Sequence, residues 1–285
     1  QEVITFSFVS SAWEDALFPG RDARHAPIRV LNPIASQLDV MRTTLAGGLI
    51  EVLRTNLAQR EERVRVFEVG RCFERTADGD RQPWRIGGLA YGESVAEQWG
   101  AAKRNVDLFD VKGDLQALVT PVSITTQASP HPALHPGRSA VVIAAGETVG
   151  WLGELHPRLV RHFELPRAPI LFELDVAPLT EIALPHVKPV SKLPRVRRDL
   201  ALVVDEGIPA QALLDALEAA KPAQVASLRL FDVYRGPSLG PGKKSVAILV
   251  VMQDTERTLT DADADVTMAA LLDVAKSRFN ATLRQ

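Results

Sequence analysis

Toward the C-terminal end of this chain an aromatic residue stands among bases. Tyr234-Arg235 is followed by Lys243-Lys244-Ser245, with Arg197-Arg198-Asp199 upstream and Arg284 at the end. An unpaired base can stack on such a ring, and cationic side chains can hold the phosphates that flank it. The set therefore suits a single-stranded nucleic acid, provided that the fold gathers it on one surface. Taken singly, each base would pass for ordinary surface charge. Phe231 to Gly236 reads as the end of a strand, and Val246 to Val251 as the strand that follows. The loop between them carries Arg235, Lys243 and Lys244 and no acid. Arg197 and Arg198 head a further strand, Leu200-Ala201-Leu202-Val203-Val204.

Other reactive types fit less well. Gly236 to Ser245 looks superficially like a phosphate loop. The Walker pattern, however, needs a glycine where Pro237 stands and a helix where a strand follows. His131 and His135 have helical spacing, but Pro130, Pro132 and Pro136 argue against a helix there, and two histidines are too few for zinc. Cys72 lies in an alternating strand, where a small buried thiol is the common fate. Asp110 and Asp114, one helical turn apart, read as a solvated face and not as an acid/base pair. No convincing catalytic set assembles in the first half.

The elements that must position the basic set are legible. From Arg197 the order is strand 197–204, a helix begun by Pro209 and lined by Leu213, Leu214 and Leu217, strand 225–234 and strand 244–253. A helix from Thr260 and a short strand 281–284 complete it. Thr260 is an N-cap, with Asp261 and Asp263 in the first turn. The order β-α-β-β-α-β is the ferredoxin-like arrangement, in which both helices cover one sheet face. Leu200, Leu202, Val204, Val246, Ile248, Val250 and Met252 form the bulky, core-facing set. Their alternates Asp199, Ala201, Ser245 and Ala247 leave room for a flat ligand on the other face.

The first half mixes strands and helices. Residues 1–9 read as a strand and Pro27 to Pro33 as an extended segment. Thr43 to Arg60 is a helix with Leu45, Leu49, Val52, Leu53 and Leu57 on one face. Its Gly47-Gly48 pair suggests another backbone packed closely there. Strands follow at 63–74, 85–92, 122–128, 139–145, 148–154 and 170–176, with a helix at 107–119 and a short one opened by His156-Pro157. This predicts an antiparallel sheet with helices on one side, so the whole chain is α+β. Pro178, Pro185, Pro189 and Pro194 mark an extended linker. The expected division is therefore a first domain at 1–180, a linker at 181–194 and a second domain at 195–285.

Bulk properties narrow the class. At 285 residues, 46% hydrophobic and 24% charged, the chain has core material for two domains. A net charge of -2 gives no global basic field, so any nucleic-acid site must be local. The single cysteine excludes an internal disulfide and fits a reducing cytosol. No apolar run approaches a membrane span. The chain opens on Gln1 inside a strand-like pattern, which suggests a piece of a longer protein.

The strings Arg197-Arg198-Asp199-Leu200, Phe231-Asp232-Val233-Tyr234, Gly242-Lys243-Lys244-Ser245 and Arg257-Thr258-Leu259-Thr260-Asp261 carry a resemblance. Together they resemble the ferredoxin-fold anticodon-binding domain that ends the β subunit of bacterial phenylalanyl-tRNA synthetases. Leu31-Asn32-Pro33, Met41-Arg42-Thr43, Phe67-Glu68-Val69-Gly70 and Gly153-Glu154-Leu155-His156-Pro157 are similar to the domain before it. The resemblance implies a class II synthetase-like antiparallel sheet without catalysis, followed by the anticodon-binding domain. Two departures agree with lost catalysis. Motif 2 wants an arginine two places before an acid, whereas Phe67-Glu68-Val69-Gly70 presents the glutamate without such a pair; motif 3 wants an arginine where His156-Pro157 stand, with Arg158 beside them. The resemblance further implies a separate catalytic α chain that uses ATP and magnesium, an α2β2 assembly, tRNA(Phe) as partner and a cytoplasmic location. This segment is then expected to hold no cofactor, to be inactive alone and to lack editing. The helix 43–60 becomes the candidate for subunit contact. The implied tRNA-binding residues are Arg197, Arg198, Asp199, Ala201, Tyr234, Arg235, Lys243, Lys244, Ser245 and Arg284.

Two rivals belong to other classes. Small amino-acid-sensing (ACT-like) modules share the β-α-β-β-α-β order, and a pure assembly domain would need neither tRNA nor amino acid.

Overall fold

The computed structural model describes residues 1–22, 26–180 and 190–284, and the chain divides into two compact units, Gln1–Leu184 and Pro185–Gln285. In the first unit β1 (Phe8–Val9), α1 (Ser11–Leu17), β2 (Val40–Met41) and α2 (Ala46–Ala58) precede the main sheet. Then come β3 (Val64–Arg71), the small hairpin β4 (Glu74–Thr76) and β5 (Gly79–Arg81), β6 (Trp84–Tyr91) and α3 (Leu108–Leu118). The unit is completed by β7 (Ile124–Ala128), β8 (Leu134–Ala144), β9 (Glu147–Leu155), α4 (Pro157–His162), β10 (Ile170–Asp175) and α5 (Ala177–Thr180). Six strands form one antiparallel sheet in the order β3-β6-β10-β9-β8-β7.

Alternation explains how this sheet is covered. On β3, Val64, Val66 and Glu68 point inward while Phe67 and Val69 point out. Leu45, Leu49 and Leu53 of the α2 segment are fully buried against the side that carries Val64, Val66, Leu89 and Leu171. The alternate residues Ala90, Val142, Leu152, Ile170 and Leu174 make a second core with Val111 and Leu115 of α3. Helices thus lie on both faces, not one as the sequence suggested. The reason is that β6, β9 and β10 carry apolar residues at both parities, so each face needs cover.

Three other expectations shift. Residues 1–9 do not make a strand: Glu2 and Phe67 meet at a single parallel bridge, closed by the Val3 N–H donating to the Phe67 carbonyl and the Phe67 N–H to that of Gln1, and only Phe8–Val9 pairs further, with β2. Ile4 and Phe6 are instead exposed. The helix expected from Thr43 begins at Ala46, after the Thr44 hydroxyl accepts the Ala46 N–H and the Glu173 carboxylate accepts that of Leu45. Beside Gly48 lies the side chain of Thr5, 2.3 Å from where a Cβ would stand, so the close neighbour is a side chain and not a backbone. Of the expected linker, residues 181–189 lie outside the described residues. Its end is fastened to the second unit, where Ser191 Oγ donates to the Asp254 carbonyl at 2.6 Å.

The second unit comprises β11 (Val196–Asp205), α6 (Ala210–Ala220), β12 (Val225–Tyr234), β13 (Lys243–Met252), α7 (Asp261–Phe279) and β14 (Thr282–Leu283). Its sheet runs β12-β13-β11-β14, all antiparallel. This is the ferredoxin-like topology, made by two β-α-β crossovers. Leu200, Leu202, Val204, Val246, Ile248, Val250 and Met252 pack with Leu213, Leu217, Leu271 and Ala275 of the helices. Burying each such side chain is worth about 1.5–3 kcal/mol. Thr260 caps α7 reciprocally with Asp263. Arg257 adds two bonds of 2.7 Å to Asp263, which hold that carboxyl well below the usual carboxylate range.

Candidate nucleic-acid interface

Register places the residues of the helix-free face in rows across β12, β13 and β11. Ser227, Val251 and Arg197 make one row, and Arg229, Leu249 and Asp199 the next. Asp232, Ala247 and Ala201 follow, then Tyr234, Ser245 and Val203. Thr282 extends the last row, and the Arg284 N–H donates to the Ala201 carbonyl at 2.9 Å. Arg197, Asp199, Arg229 and Asp232 are exposed, and Ala201 and Ala247 form a low floor between them.

One end of this floor is closed by a ring and a cation. The guanidinium carbon of Arg284 lies 4.3 Å from the Tyr234 ring centroid, within cation–π range. Beneath, Ser245 is 1% exposed, and its hydroxyl oxygen has no hydrogen-bond partner among the described residues. Tyr234 also lies against Gly236, where a Cβ would sit 2.1 Å from the tyrosine hydroxyl, so a side chain there would displace the ring. The chemistry offered is a stacking surface, a buried hydroxyl and carboxylates beside guanidinium groups.

The other expected bases are placed differently. Lys243 has the parity of Ser245 and pairs with Asp205 at 3.0 Å, and Arg235 pairs with Glu206 at 2.9 Å. The turn Asp205-Glu206 thus supplies the negative charge that the basic loop lacks. Lys244 shares the parity of Val246 and turns to the helix-covered side, where its ammonium donates to the Glu206 carbonyl at 2.8 Å. Arg198 lies opposite the buried Val250 and is paired with Asp261 at the start of α7. Seven basic and aromatic positions do converge on one sheet, but not on one of its faces.

Sequence reasoning passed over Arg229, Phe231 and Asp232. For Phe231 and Asp232 a β-bulge between Leu230 and Asp232 explains the omission. Leu228 and Leu230 pack on the core, whereas Asp232 and Tyr234, at the same sequence parity, emerge on the opposite face. Phe231 stands at the bulge and is exposed. The signal that could have found it is the break in alternation after Leu230.

In the first unit the remaining candidates have structural contacts. Asp110 completes the cap of α3 and binds Arg104, and Asp114 pairs with Arg65 at 2.7 Å. His131 stacks on Trp151 at 4.7 Å, and His135 Nδ1 accepts the Gly137 N–H at 3.0 Å. Cys72 is buried, which pushes its thiol far up from the ordinary value. Glu68 is bound by Arg42 at 2.7 Å and Thr5 at 2.6 Å, while Arg158 donates to the carbonyls of Ala16, Leu17 and Pro132. Among the described residues no helix is long and apolar enough to cross a membrane.

Two crossover helices on one side, and an open face bearing Tyr234 and arginines on the other, make a ferredoxin-like fold with a bare sheet face. The profile of the ferredoxin-fold anticodon binding domain matches residues 191–284. That of the phenylalanyl tRNA synthetase beta chain CLM domain matches residues 1–176. The chain belongs to the phenylalanyl-tRNA synthetase β-chain family. It is 54% identical over 284 residues to the phenylalanine–tRNA ligase β subunit of Thiobacillus denitrificans, covering 100% of this chain and 35% of that protein. The corresponding subunit of Chromobacterium violaceum is 49% identical, with 100% and 36% covered, and that of Dechloromonas aromatica is 47% identical, with 100% and 36% covered. The chain spans about a third of the length of these relatives. A pyrrolysyl-tRNA synthetase structure from Desulfitobacterium hafniense matches at 12% identity over 63% of this chain and 59% of its own, with a TM-score of 0.44, too distant to bear on the fold. These matches favour the anticodon-binding reading over an amino-acid-sensing module.

Proposed function

We propose that this chain serves a cytoplasmic phenylalanine–tRNA ligase as part of its β subunit, with the second unit holding the anticodon of tRNA(Phe). The observation that carries this reading is the open sheet face on which Tyr234, Arg284, Arg197, Asp199, Ala201 and Ser245 stand together. Arg229, Phe231 and Asp232 join that set. Lys243 and Arg235 serve at its rim, while Arg198 and Lys244 support the fold from the helix side. Filter binding of tRNA(Phe) across a salt series tests it. Arg197→Ala should weaken binding and lower the salt slope by about 1 if it meets a phosphate. Affinity indifferent to salt and to Arg197→Ala and Tyr234→Ala together would reject the interface.

The first unit is read as a class II synthetase-like domain that has lost catalysis and docks the catalytic α chain in an α2β2 assembly. Support comes from the antiparallel sheet, from Glu68 locked to Arg42, and from Arg158 committed to backbone carbonyls. ATP and magnesium are then used by the α chain. The docking face would include the groove beside α2, into which Thr5, Trp13 and Val52 project, rimmed by Ile4 and Phe6 at 92% and 75% exposed. Co-purification with the α chain that survives Ile4→Ser/Phe6→Ser unchanged would remove this face from the assembly.

A further inference from the structure

A cavity of about 470 Å³ lies in the first unit beside the start of α2, within the size range of small-molecule sites. Part of its lining is aromatic. Phe18 meets His131 edge-on at 5.8 Å, and His131 stacks on Trp151 at 4.7 Å with 27° between the planes. Burial pushes the His131 pKa down to about 4, so at neutral pH this wall is uncharged ring surface.

The rest of the lining is charged, and most of that charge is internally matched. Arg85 binds Glu173 at 3.1 Å and Asp175 at 2.9 Å, and also meets Glu74. Glu173 takes in addition the Thr44 hydroxyl at 2.6 Å and the Leu45 N–H at 2.7 Å, which leaves neither Arg85 nor Glu173 for a ligand. Other groups are incompletely matched. Arg21 gives Nη2 to Glu14 and Thr43, but its Nη1 is buried without a hydrogen-bond partner among the described residues. Among the described residues Arg75 reaches only Asp80, at 3.8 Å, and its side chain is 47% exposed. Asp175 and Glu74 each offer one oxygen to Arg85, and each side chain remains more than a third open.

We propose that this cavity binds a small zwitterion bearing a planar ring. Its carboxylate is held by Arg21 and Arg75, its ammonium by Asp175 and Glu74, and its ring lies against Trp151 and Phe18. A carboxylate lying against the Arg21 and Arg75 guanidinium groups, both in the cavity lining, would gain charge-assisted bonds. A plain anion would leave the oxygens of Asp175 and Glu74 facing it, and a plain cation would face Arg21 and Arg75. Only a ligand of both signs meets both pairs. Aromatic walls favour a ring through offset or edge contacts. This inference does not depend on the anticodon reading, because it concerns other residues and another unit.

Calorimetric titration of the 285-residue chain with L-phenylalanine, L-tyrosine and L-tryptophan tests it. Phenethylamine and 3-phenylpropionate, each lacking one charge, serve as controls. At least one of the three zwitterions should bind at least tenfold more tightly than either control. Arg75→Ala should weaken that binding about tenfold or more, with the ligand-free melting temperature unchanged. Asp175→Asn should do the same, and if it fails to fold, Arg75→Ala decides alone. No binding of any zwitterion at millimolar concentration, equal binding of the single-charge controls, or full affinity in Arg75→Ala would each overturn the site.

Discussion

Arg284, just past the edge strand β14, places its guanidinium 4.3 Å from the ring of Tyr234, although Tyr234 ends β12 at the opposite edge of the sheet. The two reach toward one another across the small residues Ser245 and Ala201, which larger side chains would prevent. One surface of the ring is therefore already engaged by a cation. A base stacking here joins an ordered pair and does not have to order a free ring, which lowers the entropy cost of binding.

Removing either member should weaken tRNA(Phe) binding by different routes. Tyr234→Ala is expected to cost about 1–3 kcal/mol through lost stacking, with little change in salt dependence. Arg284→Ala should lower both affinity and salt slope, since a cation is removed. Filter binding at several salt concentrations separates the two.

Lys243 and Lys244 should behave oppositely despite being neighbours. Lys244→Ala removes a charge-assisted bond to the Glu206 carbonyl and a buried stem, so a loss of about 1–3 kcal/mol in stability is expected. Lys243→Ala removes an exposed pair with Asp205 and should leave stability within about 1 kcal/mol of the parent. Urea denaturation measures both, and the salt slope of tRNA binding should respond to Lys243 alone.

His131 gives the first unit a pH-dependent stability. Burial lowers its pKa to about 4 in the folded chain, against about 6.5 when unfolded. Between those values the unfolded state binds more protons, so stability is fully present above about pH 6.5 and is lost as pH falls toward 4. The loss from this group amounts to about 3 kcal/mol. His131→Phe, which keeps a ring against Trp151, should flatten the pH dependence of the urea midpoint over that window. An unchanged slope would mean the imidazole is more hydrated than its packing implies.

Gly150 marks a close strand contact. A Cβ there would stand 2.0 Å from the Glu173 carbonyl oxygen of β10, a backbone atom held in the ladder. Gly150→Ala should lower stability by about 1–3 kcal/mol through overpacking, with a matching drop in denaturation midpoint. Gly113→Ala makes the control, since nothing lies within 4 Å of its added Cβ.

Much of this architecture was written in local patterns. Leu213, Leu217 and Leu271 at helical spacing, Thr260 with Asp263 three residues on, and the alternating Val246 to Met252 announce the β-α-β-β-α-β unit, because backbone periodicity and capping act over a few residues. The basic and aromatic positions could likewise be named from their types. Which face each one occupies could not. A single extra residue near Phe231 reverses the parity of Tyr234, and the tail carrying Arg284 must first pair with β11 to bring it over that ring. Lys244 is turned inward by the Glu206 carbonyl, and Glu173 and Arg21 share a cavity with Trp151 only after the six-stranded sheet has formed. Contacts between residues far apart in the chain depend on register and packing, and those belong to the folded molecule as a whole.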